Sequence, residues 1–174
     1  MELTVTDKTE VLKDWLRDAY AMESQAVEML ERQVGRIENY PELLAKAKEH
    51  VEVSKRQADR LKDCLAQLGT QPSSIKTGIQ MLIGNAQSLS GVVAPDEIVK
   101  ASVFNYAFEH FEIANYRALI AAAESAGKPE IARILKQSLD EELEMAGWLE
   151  QRIPQVTQTY LTRRETMSAS EAKR

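Results

Sequence analysis

Apolar residues recur every three or four positions along four long stretches of the chain, which is the spacing of an amphipathic helix. In the first stretch, Leu12, Leu16, Ala26 and Leu30 fall on one face. Glycine and proline are few, and most of them lie between the periodic stretches. The pattern predicts four long helices, over residues 8–38, 41–68, 97–126 and 129–153.

The ends of the chain differ from its periodic middle. Thr6 or Asp7 can cap the first helix. Pro154 is expected to end the fourth helix, since proline cannot donate the backbone hydrogen bond that continues it. We therefore expect one bundle domain over residues 1–163, followed by a polar, flexible tail over residues 164–174.

The lengths of the connections predict how the helices are arranged. Short turns join the first helix to the second and the third to the fourth, so each pair should form an antiparallel hairpin. About 28 residues join the two hairpins, and residues 75–89 within them have the pattern of a short helix. A helix of 27 residues is about 40 Å long, and this connection can span that length. The expected fold is therefore an all-α, ferritin-like four-helix bundle with one long crossover, because an up-down-up-down bundle would need only a short loop there.

Composition narrows the class of protein. The 174 residues are 44% hydrophobic and 28% charged, which suits a single globular domain. The net charge of -5 argues against nucleic acid as a partner. No apolar run approaches the roughly 20 residues of a membrane-spanning helix, and the polar N-terminus is unlike a signal peptide, so we expect a cytoplasmic protein. The one cysteine, Cys64, falls on an apolar helix face and is expected to be a packed thiol.

Acidic side chains interrupt the apolar faces of three predicted helices. Glu23 lies on the first helix, Glu109 and Glu112 lie one turn apart on the third, and Glu142 lies on the fourth. A buried carboxylate is costly unless it is protonated, paired or bound to a metal ion. At about 1.5 Å of rise per residue, Glu23, Glu112 and Glu142 reach a common height, with Glu109 about one turn away and His50 of the second helix roughly 10 Å off.

Each of these residues also has a plainer interpretation. A single glutamate often lies at the border of an apolar face, and Glu141 and Glu142 could form a solvated acidic pair. His50 could be half-exposed or hydrogen-bonded, and His110 is expected to flank the interior. A common site is favoured by three helices placing carboxylates at one level, because side chains three or four residues apart on a helix can hold one ion together.

Several of these stretches resemble the YciE/YciF family of bacterial ferritin-like stress proteins, and they are most similar to its YciE members. The resemblance covers nearly the whole chain and is far more specific than any short motif in it. It includes DWLRDAYAMESQAVEMLE, PDEIVKASVFNYAFEHFEIANY and IPQVTQTYLTRRET. The matching segments are residues 14–31, 36–43, 49–57, 95–116, 140–149 and 153–166.

The resemblance implies a ferritin-like fold, self-association into a homodimer and a di-metal centre in the bundle. The family's interior carboxylates and its second-helix histidine fall on Glu23, Glu109, Glu112, the Glu141/Glu142 pair and His50.

Two positions depart from the pattern of a complete centre. Relatives carry an acid three residues after the second-helix histidine, where this chain has Val53, and the neighbouring Glu52 points about 100° away. On the fourth helix, Met145 stands three residues after Glu142, where a Glu-x-x-His motif would place histidine. These departures predict an incomplete centre that holds two ions weakly or one ion only.

Two hypotheses for the function follow. The first is a ferritin-like stress-response protein whose core binds metal through Glu23, His50, Glu109, Glu112 and Glu142, with Glu141 as an alternative ligand. Iron or manganese would suit these ligands better than zinc, and an enzyme of this kind would react with oxygen or peroxide. The second is a metal-free structural or interaction protein that keeps the fold, with its carboxylates neutral and hydrogen-bonded.

Overall fold

The computed structural model describes residues 7–72 and 96–172, and helices account for most of them. The predicted short helix over residues 75–89 lies outside the described residues, as does the alternative cap Thr6. The helices are α1 (Lys8–Val34), α2 (Pro41–Gln67), α3 (Glu97–Ser125), α4 (Pro129–Thr166) and the short α5 (Ala169–Ala172).

The turns between helices form as their sequences indicate, with one correction. Asp7 caps α1 by accepting a hydrogen bond from the backbone N–H of Thr9 over 2.9 Å. Gly127 adopts a φ of 68° after α3, in the left-handed region that glycine enters without strain. The prediction that α1 extends to residue 38 is wrong, because the helix ends at Val34, directly before Gly35. Glycine loses the most backbone entropy in a helix, about 1 kcal/mol relative to alanine, so it favours an end there.

Side-chain contacts at the two ends of the bundle fix the topology. At one end, Arg36 just after α1 forms an ion pair of 2.6 Å with Glu97 at the start of α3. Towards the other end, Arg17 in the first half of α1 donates to the carbonyl oxygen of Gln71, just after α2, over 3.3 Å. The connection from α2 to α3 therefore joins opposite ends, and these two helices run parallel. This confirms the one-crossover, ferritin-like arrangement.

Among the described residues, buried apolar side chains form two separate clusters. The larger cluster contains Leu12, Leu16, Leu61 and Leu65, and it includes Cys64, which is fully buried as predicted. The smaller cluster lies towards the opposite end of the bundle. Its buried members are Tyr40, Leu43, Ile98, Val156, Tyr160 and Ala172.

The prediction that Pro154 ends the fourth helix is wrong, because α4 continues through it to Thr166. Beyond this proline, Val156 and Tyr160 are buried against Tyr40. Burying large side chains contributes roughly 1.5–3 kcal/mol each, which offsets the roughly 3 kcal/mol cost of an interior proline. The Tyr40 hydroxyl also donates to the carbonyl oxygen of Ala172 over 2.9 Å, so α5 contacts the bundle. Flexibility of residues 164–174 concerns motion and stays a prediction.

Across residues 7–72 and 96–172, the helices are too polar for any of them to span a lipid bilayer.

Candidate metal centre

Five residues that the sequence singles out converge at the middle of the bundle. Their exposed fractions are between 0% and 3%. They are Glu23 of α1, His50 of α2, Glu109 and Glu112 of α3, and Glu142 of α4. The solvated acidic pair of Glu141 and Glu142 is therefore a wrong interpretation, since Glu142 is fully buried.

Ordinary helix geometry points these side chains inward. Glu23 lies between the buried residues Ala19 and Ala26 on α1, one turn from each. Glu142 continues the buried line of Leu135 and Leu149 on α4. Glu109 and Glu112 are three residues apart, so they project from the same face of α3. The sequence therefore places acidic groups where the surrounding positions are apolar.

His50 contacts the carboxylate cluster directly, although its position along α2 suggests that it lies roughly 10 Å from the common level. Its Nε2 atom lies 3.2 Å from Glu109 Oε2 and 3.7 Å from Glu142 Oε2. One ligand atom from each of these three residues lies within 4.8 Å of the other two. Since α2 and α3 run parallel, His50 and Glu109 are displaced from the common level in the same direction. The side chains then close the remaining gap.

In two of the four carboxylates, Glu23 and Glu142, one oxygen accepts a hydrogen bond from a neighbouring side chain. The Tyr116 hydroxyl donates to Glu23 Oε1 over 2.6 Å, and the Gln57 amide donates to Glu142 Oε1. Among the described residues, one buried oxygen of each carboxylate has no hydrogen-bond partner. These oxygens are Glu23 Oε2, Glu109 Oε2, Glu112 Oε1 and Glu142 Oε2.

The four carboxylates have no lysine or arginine among their ion-pair partners in the part of the chain that the structure describes. Burial, then the nearby negative charges, raises the pKa of Glu23 and Glu112 well above their usual range. Burial and Glu109 do the same to the pKa of Glu142. Burial raises the pKa of Glu109 to about 7, and it lowers the pKa of His50. The cluster therefore lacks a positive charge and favours either protons or a cation.

Glu141 lies beside the cluster rather than inside it. Arg60 donates to its two oxygens over 2.6 and 2.7 Å. Sequence reasoning missed Arg60, although it lies one turn after Gln57 and so on the same side of α2. His110 is exposed and packs edge-on against Tyr106, which agrees with a flanking role.

The two departures from a complete centre are visible in the structure. Val53 is half-buried, and Glu52 is exposed and paired with Lys55 over 3.0 Å. Met145 is buried after Glu142. Even so, carboxylate oxygens without partners beside one imidazole are a donor set that fits a divalent transition-metal ion. His50, Glu109 and Glu142 are near enough to share one.

Comparisons with known proteins place these features in a family. Residues 7–162 match the family described as a domain of unknown function, DUF892. A Xanthomonas campestris protein of known structure is 37% identical, with a TM-score of 0.79, and the match covers 92% of this chain and 99% of that one.

Two more distant structures are informative about the fold alone. The stress protein YciF of E. coli is 23% identical with a TM-score of 0.74, over 86% of this chain and 96% of that one. A ferritin-like, diiron-carboxylate protein of Bacillus anthracis is 14% identical with a TM-score of 0.70, over 86% of this chain and 99% of that one. Both have the same bundle architecture. The chain therefore belongs to the DUF892 family and has the ferritin-like fold.

Proposed function

We propose that this protein binds a divalent transition-metal ion in the bundle core, through His50, Glu109 and Glu142. The observation that carries the proposal is the contact of these three buried side chains, with carboxylate oxygens that have no other partner. Without a cation, four carboxylates in one buried cluster repel one another unless they hold protons. A divalent ion removes that repulsion and occupies the free oxygens.

Glu23 and Glu112 supply the ligands that would complete the shell or hold a second ion. Each has one buried oxygen free. The second position has no carboxylate from α2, since Val53 occupies the place of the acid, and no second histidine from α4. We therefore propose one firmly bound ion and a weaker second one. Tyr116 and Gln57 orient Glu23 and Glu142 through their hydrogen bonds.

Iron or manganese suits this set better than zinc, since oxygen ligands outnumber the single imidazole. Such an ion supplies one-electron chemistry towards oxygen or peroxide. The chain itself holds the ligands in place and excludes bulk water from them. The E. coli neighbour is a stress protein, which supports a stress-response role. The homodimer and the narrower similarity to YciE members stay predictions.

A metal-free structural role is the second candidate, and one observation favours it. Burial raises the pKa of Glu109 to about 7 and the pKa of Glu142 well above its usual range, so both carboxyl groups tend to hold protons. Protons can therefore neutralise part of the cluster in place of a metal ion. The two candidates differ in what the cluster binds near neutral pH.

Metal analysis separates the two candidates. The protein is purified without chelator after growth with added iron or manganese, and bound metal is counted per chain. We expect at least about one ion per chain by the donor count, and a loss of it in the double variant Glu109→Gln, Glu142→Gln. The matched control is Glu124→Gln, Glu144→Gln on exposed positions of the same two helices. A wild-type protein holding less than about a tenth of an equivalent would refute the proposal, since a fitted site should fill.

A further inference from the structure

Polar side chains of α2 and α4 contact one another from the surface of the bundle to the carboxylate cluster. Arg60 of α2 contacts Ser138 Oγ at 3.0 Å and Glu141 of α4 at 2.6 Å. Gln57 of α2 donates to Glu141 Oε2 over 3.2 Å and also to Glu142. A continuous run of polar side chains therefore joins Arg60 to Glu142.

The exposed fraction of the side chains falls along this run, from Arg60 and Glu141 to Gln57 and Glu142. The side chains of Arg60 and Glu141 are 17% and 24% exposed, so they reach solvent. Gln57 and Glu142 are fully buried one step further in. The ion pair of Arg60 and Glu141 therefore forms the outer end of the run.

Oxygen atoms without partners line the inner part of the same interface. Gln57 Oε1, Ser54 Oγ and Glu142 Oε2 are buried and have no hydrogen-bond partner among the described residues. Ser54 lies between His50 and Gln57 on the same face of α2. Burying such groups without partners is unfavourable, and a cation moving past them would use all three.

We propose that the α2–α4 interface is the path by which divalent cations reach the core, with the Arg60–Glu141 ion pair as its gate. The inference rests on the proposed metal function. Glu141 attracts the ion and passes it inward to the oxygens of Gln57, Ser54 and Glu142. Arg60 occupies Glu141 and repels cations until its side chain swings outward. The two gate residues therefore have opposite effects on the rate of loading.

Stopped-flow mixing of the metal-free full chain with cobalt(II), followed by cobalt absorbance, tests this path. Glu141→Gln should slow both association and release, by about tenfold, since a carrier acts in both directions. Arg60→Gln should accelerate both. The control Glu144→Gln makes the same charge change one turn away, at a side chain that also pairs across the interface, with Lys46 at 3.6 Å. It should stay within about twofold, because its exposed charge is screened.

Any other result would refute the proposed path. Unchanged rates in both gate variants, or rates that move in the same direction, mean that the ion pair is only structural. Slower association with faster release in Glu141→Gln means that Glu141 is a ligand of the bound ion. Should Glu141→Gln fail to fold by circular dichroism, Arg60→Gln and Glu141→Asp carry the test. A wild-type chain that binds no cobalt refutes the proposed function itself, and so separates the two failures.

Discussion

Replacing Glu109 by glutamine removes a buried charge while keeping the shape of the side chain. Burial raises the pKa of Glu109 to about 7 from its ordinary value of 4.5. At about 1.4 kcal/mol per pKa unit, ionising this carboxyl group at pH 8 costs the folded, metal-free protein roughly 3 kcal/mol relative to the unfolded chain. Glutamine has no such cost, so we expect metal-free Glu109→Gln to be more stable than the wild type at pH 8, by up to about 3 kcal/mol.

The sign of the pH dependence follows from the raised pKa. Below pH 4.5 both the folded and the unfolded chain hold the proton, so the variant has no advantage from this group. As the pH rises from 4.5 to about 7, the unfolded chain releases the proton first, and the folded wild type loses stability. The advantage of the variant should therefore grow over this range and then level off.

Urea denaturation at several pH values, with and without manganese(II), measures the effect. An ion at about 1,000 times its dissociation constant stabilises the folded protein by about 4.1 kcal/mol. This exceeds the roughly 3 kcal/mol advantage of the variant, so the order of stability should reverse when that much metal is added. Glu124→Gln on the exposed side of α3 is the control, and it should change stability by less than about 0.5 kcal/mol. A metal-free Glu109→Gln variant that is less stable at pH 8, or that manganese stabilises as much as wild type, would refute the reasoning.

Three further predictions concern the surroundings of the cluster. Tyr116→Phe should lower the free energy of unfolding by about 1–3 kcal/mol in urea denaturation, because it leaves Glu23 Oε1 without its donor; an unchanged value would contradict this. Cys64 is fully buried and burial raises its pKa to about 11, so a thiol reagent at pH 8 should label it only after unfolding, and prompt labelling of the native protein would be inconsistent with the packing. Val53→Glu introduces a carboxylate three residues after His50, so isothermal titration should show a second ion bound more tightly, whereas an unaltered stoichiometry and affinity would argue against an incomplete second position.

The sequence predicts the helices well because their signals are local. Periodic apolar residues and the turns around Pro41 and Pro129 place all four long helices, and the long connection predicts the crossover. The errors at residues 38 and 153 have different causes. Gly35 is a local signal that ends α1 early, whereas the end of α4 depends on distant contacts. At Pro154, burial of side chains further along α4 outweighs the local cost of proline, and that burial depends on α2 and α3.

The sequence identifies the residues of the site, but it predicts their contacts with one another less well. Glu23, Glu112 and Glu142 can be identified because each interrupts the apolar face of a predicted helix, and helical spacing predicts that this face is buried. The contact of His50 with Glu109 depends on the relative tilt of the helices and on the length of the side chains. A height estimated only from the rise per residue includes neither. Arg60 was missed for the same reason, since its partner lies 81 residues away in sequence.

Anomalous X-ray diffraction from crystals grown with manganese(II) or iron(II) tests the central claim most directly. The structure predicts an anomalous peak bonded to His50 Nε2 and to oxygens of Glu109 and Glu142, where the three groups meet within 4.8 Å. The peak should disappear in crystals of the Glu109→Gln, Glu142→Gln variant grown with the same ion. Peaks confined to exposed carboxylates, with none among these three side chains, would contradict the account.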